Sequence, residues 1–122
     1  MSSLHTSNAI DATALRAAIE TSDAQAIVNL FADDAELQVL DHLHPPSKPQ
    51  LFRGKAAIAG YWNDVCSRKL THTVERIAHD GDTLAYSEAC RYPDGTRVQC
   101  IAFLDLVNGK IARQTGVQTW DE

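Results

Sequence analysis

The sequence contains few cysteines and few aromatic residues, and it has fewer basic than acidic residues. Its 122 residues include 11 Lys and Arg against 16 Asp and Glu, which gives a formal net charge of −5. The basic residues are scattered, so no surface is suited to neutralising phosphates, and we expect no nucleic-acid partner. No apolar run approaches membrane-spanning length, and the first ten residues do not resemble a signal peptide. We therefore expect a soluble, cytoplasmic protein without a membrane partner.

The three cysteines, Cys66, Cys90 and Cys100, form an odd number and lack CxxC spacing. This pattern argues against a disulfide framework and against a zinc ribbon, so we expect reduced thiols that behave as small apolar side chains. The sequence also lacks a Gly-rich phosphate loop, a GxSxG elbow, an HExxH motif and a kinase signature. We therefore predict no cofactor and no metal site.

The apolar content of 44% in 122 residues is sufficient for one hydrophobic core. There is no internal repeat, low-complexity tract or linker, so residues 1–122 are predicted to form a single domain, with residues 1–9 as a flexible tail.

Three amphipathic helices are predicted in the first 68 residues. The first spans residues 10–21, with a stripe of Ile10, Ala14, Ala17, Ala18 and Thr21 that Leu15 and Ile19 widen. The second begins after Ser22 or Asp23, either of which can cap it. Its expected buried face is Ala24, Ile27, Val28 and Phe31. The third follows Gly54 over residues 55–68. Its expected buried face is Ile58, Tyr61, Trp62, Val65 and Cys66.

From Ala35 onward the helical spacing of apolar residues ends. Apolar and polar residues alternate instead, which predicts a strand over residues 35–41. Three prolines make residues 42–50 a non-helical loop. After Leu70, turn signals at residues 80–81, 93–95 and 108–109 divide the chain. They predict an antiparallel meander of residues 71–79, 83–92, 97–106 and 111–120. The fold class is therefore α+β.

The third meander strand is apolar on both faces. One face carries Val98, Cys100, Ala102, Leu104 and Leu106. Because Ile101 and Phe103 lie on the other face, the sheet needs a cover on each side. The helices supply one cover, and we favour a second copy of the chain as the other, which predicts a homodimer through the outer sheet face. The alternative is that the protein's own tail covers Ile101 and Phe103.

Three segments carry a family resemblance: DAQAIVNLFADDA at residues 23–35, FRGKAAIAGYW at residues 52–62 and NGKIAR at residues 108–113. They resemble the nuclear transport factor 2-like superfamily, and within it the SnoaL-like polyketide cyclase and ketosteroid isomerase branch. The resemblance covers nearly all of the chain after the first ten residues. It implies a cone-shaped roll, in which three helices pack on a curved antiparallel sheet and enclose a pocket, and usually a homodimer.

The resemblance also allows the ketosteroid isomerase site to be placed on this sequence. The tyrosine of the first helix falls on Leu15, the general base on Val39, and the oxyanion-stabilising aspartic acid on or next to Ala102. All three positions are apolar here. The resemblance therefore supports the scaffold and its pocket, and it argues against standard steroid isomerase chemistry.

Four residues are candidates for catalysis. Asp41 shares strand parity with Val39 and should point toward the cavity, although it can instead cap the turn into the proline loop. His42 and His44 follow it, either as an acid or base at the pocket mouth or as solvated side chains. His72 is the strongest candidate, because dehydratases that the chain resembles often use a histidine on this part of the sheet. The opposite parity of its strand, with Thr71 and Thr73 inward, fits the sequence equally well.

The expected pocket wall combines these positions with aromatic side chains. The predicted lining residues are Leu15, Val39, Tyr61, Trp62, Tyr86, Glu88, Ala102 and Trp120. Tyr86 and Glu88 share one face of their strand, and an inward parity would make them an oxyanion donor and a buried carboxylate. An outward parity would instead pair Glu88 with Arg97 in a weak salt bridge. Gln114 and Gln118 are either pocket donors or part of a wet dimer seam.

We therefore predict a domain with an apolar small-molecule pocket that catalyses proton transfer without a cofactor. The reaction types considered are isomerisation, cyclisation, dehydration and hydrolysis of a hydrophobic ring substrate. The alternative is a non-catalytic ligand-binding or dimerisation domain of the same fold, which the loss of all three isomerase positions keeps open.

Overall fold

The computed structural model describes residues 10–121, so the predicted tail of residues 1–9 lies outside the described residues. The described part contains three helices, which are α1 Ala12–Glu20, α2 Ala24–Val28 and α3 Lys55–Ser67. The strands are β1 Phe31–Leu40, β2 Gln50–Arg53, β3 Thr71–Asp80, β4 Thr83–Arg91, β5 Arg97–Val107 and β6 Lys110–Trp120. No helix of the described residues is long and apolar enough to cross a membrane.

Aspartates begin the first two helices. Asp11 accepts hydrogen bonds from the Thr13 and Ala14 amides, and Asp23 accepts one from the Ala26 amide, so each satisfies donors that a helix start leaves free. The buried face of α1 differs from the predicted stripe. It consists of Leu15, Ala18 and Ile19. Ala14 and Ala17 are exposed, because the large aliphatic side chains and not the alanines orient the helix.

The second helix is shorter than predicted. It ends at Val28, and β1 begins at Phe31 rather than at Ala35. The Ile111 amide donates to the carbonyl of Leu30, and Phe31 lies beside Ile111 in the parallel pairing of β1 with β6. Phe31 is fully buried at this point, so pairing with a distant strand overrides the local helical pattern.

The six strands form one sheet in the order β2-β1-β6-β5-β4-β3. All pairs are antiparallel except β1 with β6, which are parallel. The four predicted meander strands are present with bounds close to those expected. Strand β2 was not predicted; its residues pair with Glu36 to Val39 of β1, directly after the proline loop. The helices pack on one face of this sheet, which confirms the α+β roll.

The two faces of the sheet differ sharply. The inner face carries the core, including Leu37, Leu84 and Leu104, which are fully buried. On the outer face, Ile101 and Phe103 are 54% and 60% exposed, and Val117, which lies opposite Ile101, is 50% exposed. Nothing in residues 10–121 covers this apolar patch, so the described part of the tail after β6 does not shield it. The predicted homodimer through this face remains a prediction.

Candidate functional site

A cavity of about 610 Å³ lies between α3, the end of β1 and the inner face of the sheet. Its wall includes Val39, Asp41, His44, Gln50, Phe52, Tyr61, Trp62, Arg68, His72, Glu88, Cys90, Tyr92, Cys100, Gln118 and Trp120. This volume is in the range of small-molecule sites, and its wall combines apolar and aromatic surface with a few titratable groups. A second depression of about 650 Å³ opens near Thr73, Gln99 and Thr119, on the outer side of the sheet, and carries no buried titratable pair.

Strand alternation places His72, Glu88 and Cys90 together at the inner face. His72 lies opposite Cys90 in the pairing of β3 with β4, and Glu88 precedes Cys90 by one period of the strand. All three are buried, so both strands have the parity that points these side chains inward. The Nδ1 atom of His72 lies 2.5 Å from Oε2 of Glu88, which makes a short, charge-assisted hydrogen bond.

The charge of this pair is set by its partners. Burial disfavours the imidazolium, but hydrogen bonds to Cys90 and Glu88 and the charge of Glu88 outweigh it and raise the pKa of His72 to about 9. His72 is therefore protonated at neutral pH and forms an ion pair with Glu88. Because Nδ1 is engaged, Nε2 is the nitrogen left to act on another molecule.

Cys90 supports the pair as a thiol. Its Sγ atom lies 3.1 Å from Oε2 of Glu88, to which it donates, and 3.4 Å from Nδ1 of His72. Hydrogen bonding with Cys100 and burial raise the pKa of Cys90, so the thiolate is disfavoured. The three cysteines are free, as the sequence predicts. Cys100 lies opposite Glu88 and so diagonally from Cys90, rather than directly across the hairpin from it.

His72, Glu88 and Cys90 are also a possible set of metal ligands, because their donor atoms lie within 4.8 Å of one another. Two ligands bound to one zinc ion at its usual bond lengths and tetrahedral angle are more than about 3 Å apart. The 2.5 Å separation of His72 and Glu88 is shorter than this. The cluster as it stands fits a shared proton, and a metal ion would have to separate the two side chains.

A second pair of the same type lies at the mouth of the cavity. Oδ1 of Asp41 accepts hydrogen bonds from Nδ1 of His44 and from the Leu43 amide, each at 2.9 Å. Asp41 therefore lines the cavity and also caps the turn into the proline loop, which were the two alternatives considered from the sequence. Burial alone would raise the pKa of Asp41, but hydrogen bonds from His44 and Leu43 lower it below its usual value.

A chain of hydrogen bonds crosses the cavity wall from β6 to α3. Nε1 of Trp120 donates to Oε1 of Gln118 at 3.1 Å, and Nε2 of Gln118 donates to the Tyr61 hydroxyl at 3.3 Å. Burial raises the pKa of Tyr61, so its hydroxyl stays protonated and acts as a donor. Gln114 likewise donates to the Tyr86 hydroxyl at 3.3 Å, deeper in the core.

Two buried side-chain nitrogens in residues 10–121 have no hydrogen-bond partner in the protein, and both belong to cavity-lining residues. They are Nε1 of Trp62 and Nε2 of His72. A buried side-chain nitrogen is normally paired, so these two nitrogens are exceptions, and both lie in residues of the cavity wall.

The structure brings most of the predicted site residues together. Asp41, His44 and His72 line the cavity, with Val39, Tyr61, Trp62, Glu88 and Trp120. Three residues predicted to line the pocket are placed in the core instead: Leu15, Tyr86 and Ala102. His42 is exposed and does not contribute to the cavity wall, because the turn at Asp41 directs it away. Arg97 pairs with Asp121 rather than with Glu88.

Sequence reasoning missed several wall residues, namely Gln50, Phe52, Arg68, Tyr92 and the two cysteines Cys90 and Cys100. The alternation of residues along β4 could have identified Cys90, because Cys90 lies on the same strand face as Glu88. Phe52 and Gln50 had no such signal, because the short strand β2 exists only through its pairing with β1.

Comparisons with known proteins bear on the family and the fold. The family model described as SnoaL-like domain matches residues 12–114. A comparison with curated proteins found no match.

Three solved structures illustrate the likeness. An NTF2-like protein of unknown function from Mesorhizobium loti has a TM-score of 0.74 at 16% identity, covering 85% of this chain and 84% of that one. A candidate ketosteroid isomerase from Kribbella flavida has a TM-score of 0.72 at 22% identity, covering 91% of this chain and 75% of that one. IdmH, a candidate polyketide cyclase from Streptomyces antibioticus, has a TM-score of 0.65 at 21% identity over 87% of each chain.

At these identities the likeness establishes the fold and leaves the activity open. The family match extends from the start of α1 into β6, and the fold agrees with it along the same residues. The chain belongs to the SnoaL-like domain family, and its fold is similar to that of solved NTF2-like proteins.

Proposed function

We propose that the chain is an enzyme that transfers protons on an apolar ring substrate without a cofactor, with His72 as the general acid and Glu88 as its positioning residue. One observation carries this proposal. A buried imidazolium faces the cavity, and one of its nitrogens is held by Glu88 while the other has no protein partner. An acid or base oriented by a third group is the usual arrangement of activated side chains in enzymes.

The proposed step is a proton transfer to oxygen. The proton on Nε2 of His72 passes to a carbonyl or hydroxyl oxygen of the substrate as the substrate loses a proton from carbon or its carbon–oxygen bond breaks. Glu88 holds Nδ1, so the imidazole keeps the same orientation when it is reprotonated. Isomerisation, cyclisation and dehydration all contain a step of this kind.

The proton that leaves carbon needs an acceptor, and His44 is the second catalytic group that we propose. Its Nδ1 is held by Asp41, which leaves Nε2 as the free nitrogen, and both residues lie on the cavity wall. The two histidine pairs therefore give the cavity an acid in its depth and a base at its mouth. Separating the two roles in this way is how one site performs acid and base chemistry at the same pH.

The wall supports an apolar ring as the substrate. Val39, Phe52 and Trp62 provide hydrophobic and aromatic surface, and the titratable side chains at the cavity are already paired with one another. A strongly charged substrate would find no unpaired counter-charge in the depth of this site.

The test is enzyme-catalysed exchange of carbon-bound protons. Wild-type protein is incubated in D₂O with 2-tetralone and 1-indanone, and loss of the α-proton signals is followed by NMR. We expect exchange faster than in buffer, and a decrease of about 100-fold or more in His72→Gln, the size typical of losing general acid–base catalysis. His79→Gln is the matched control, since His79 lies on the same strand but is exposed.

Equal rates in wild type and His72→Gln would refute the role of His72. Binding of the ketones without any exchange would favour the alternative, a ligand-binding domain, which the apolar Leu15, Val39 and Ala102 positions suggest.

The exposed patch of Ile101, Phe103 and Val117 supports a second part of the proposal, a homodimer through the outer sheet face. A contiguous apolar patch on one flat face is typical of a protein interface. Analytical ultracentrifugation should find a dimer at micromolar concentration and a monomer for Phe103→Lys, whereas monomeric wild-type protein would contradict this.

A further inference from the structure

Gly116 lies in the middle of β6, at a place where the fold does not need glycine. We infer that Gly116 is a specificity-determining residue, which keeps a recess open at the inner end of the cavity and so sets how long a ligand the cavity accepts. The inference deepens the proposed function and rests on it in one respect, namely that a ligand occupies this cavity.

Neither the backbone nor steric crowding requires glycine at this position. Gly116 has no positive φ angle, unlike the turn glycines Gly81 and Gly95, and its pairing with both neighbouring strands is regular. A Cβ atom added to Gly116 would meet no atom of residues 10–121 within 4 Å, its two chain neighbours excepted. Glycine inside a strand lowers stability relative to alanine, and it often marks the close approach of a ligand. We therefore attribute this glycine to a ligand.

The open space at Gly116 is on the inner face of the sheet and adjoins the cavity. Gly116 pairs with Val39 of β1 and with Ala102 of β5, and paired residues of neighbouring strands share a face. Both partners are buried on the inner face. Val39 lines the cavity, and so does Gln118, the next inward-facing residue of β6. The recess therefore lies between two residues of the cavity wall, at the border of the core.

The recess is remote from the proposed acid. Glu88, Cys100 and Gln118 lie opposite one another on β4, β5 and β6. Gly116 is two residues along β6 from Gln118, so the usual strand and residue spacings place its Cα atom about 12 Å from that of Glu88. A ligand whose reacting oxygen lies at His72 would meet Gly116 only with its far end. A side chain at position 116 should therefore shorten the usable cavity and leave the His72–Glu88 pair undisturbed.

The first test asks whether the fold needs the glycine, with the variants Gly116→Ala and Gly116→Val. Because the space is open and glycine is unfavourable inside a strand, we expect Gly116→Ala to raise the midpoint of urea unfolding by roughly 0.2–0.6 M. Thr119→Val is the matched control, since Thr119 is exposed on the outer face of the same strand. A lower midpoint for Gly116→Ala would overturn the inference, because the glycine would then serve the fold, for example by letting the sheet bend.

The second test measures binding by isothermal titration calorimetry. The probes are 1-tetralone, which has two rings, and tetrahydrophenanthren-1-one, which extends the same ketone by a third ring. We expect Gly116→Val to weaken binding of the three-ring ketone by about tenfold or more, as a steric mismatch in an apolar pocket does, and binding of 1-tetralone by less than about twofold. Equal changes for both ketones, or no binding of either to wild-type protein, would overturn the inference. Because unfolding and binding need no turnover, this inference and the proposed catalysis can fail separately.

Discussion

Two histidine–carboxylate pairs lie on the wall of one cavity, and they differ in little except burial. In both, a carboxylate oxygen faces Nδ1 of a histidine, at 2.5 Å for Glu88 and His72 and at 2.9 Å for Asp41 and His44. The deep pair has side chains only 2% and 6% exposed, for His72 and Glu88. At the mouth, the corresponding values are 35% for His44 and 13% for Asp41.

The difference shows that the same type of hydrogen bond can serve two functions, depending on how deeply it is buried. In the depth, burial alone would lower the pKa of His72, but hydrogen bonds to Cys90 and Glu88 and the charge of Glu88 outweigh it and raise the pKa to about 9, so the pair keeps its proton at neutral pH. At the mouth, solvent reaches His44, and Asp41 divides its oxygen between His44 and the Leu43 amide. The first arrangement is suited to a held acid, and the second leaves the histidine side chain open to solvent.

The largest expected effect is on stability, and it separates the two pairs directly. Glu88→Gln removes the charge that holds a buried imidazolium, and we expect it to lower the free energy of unfolding by about 3 kcal/mol. The matched change at the mouth, Asp41→Asn, should cost less than about 1 kcal/mol, because solvent compensates for an exposed partner. Urea unfolding at pH 7 measures both. Equal losses would mean that burial does not distinguish the pairs.

A second effect should appear in the pH dependence of stability. The pKa of His72 is raised above its unfolded value of about 6.5 to about 9, so the folded protein binds this proton more tightly than the unfolded chain. The resulting stabilisation is fully present below about pH 6.5 and is lost as the pH rises through 9. We expect the stability difference between wild type and His72→Gln to shrink from pH 6.5 to pH 10. A constant difference over that range would show that the His72 proton does not stabilise the fold.

The sequence predicted the sheet well where the signals were local. Asn108 and Gly109 both adopt positive φ angles of 53° and 75°, as a tight hairpin turn requires, and the strands on either side have nearly the predicted bounds. The parallel pairing of β1 with β6 was not predictable in this way, because it joins segments far apart in the chain. This pairing makes Phe31 a strand residue. Strand β1 also pairs with β2, and that second pairing brings Phe52 to the cavity wall.

The sequence predicted the candidate site only as a choice between two orientations of strand β4. Strand β4 alternates Tyr86, Glu88 and Cys90 with small residues, and either face was compatible with a sheet that has a cover on both sides. Burying Glu88 is favourable only because His72 on the neighbouring strand pairs with it. The partner residue determines which face of β4 points inward. Because that partner lies on β3, the alternation of residues along β4 alone does not reveal it.

The smallest expected effect concerns the mouth pair alone. His44→Gln removes the imidazole that helps to lower the pKa of Asp41, and the Leu43 amide remains as its donor. We expect the Asp41 pKa to rise toward its usual value, because one of the hydrogen bonds that lower it is lost. NMR titration of the ¹³C-labelled carboxyl carbon measures it. The His72 ring should be unaffected, because no hydrogen bond connects the two pairs among the described residues. A shift of His72 in this variant would mean that the pairs are coupled through the cavity, and that acid and base share a proton path rather than act as separate groups.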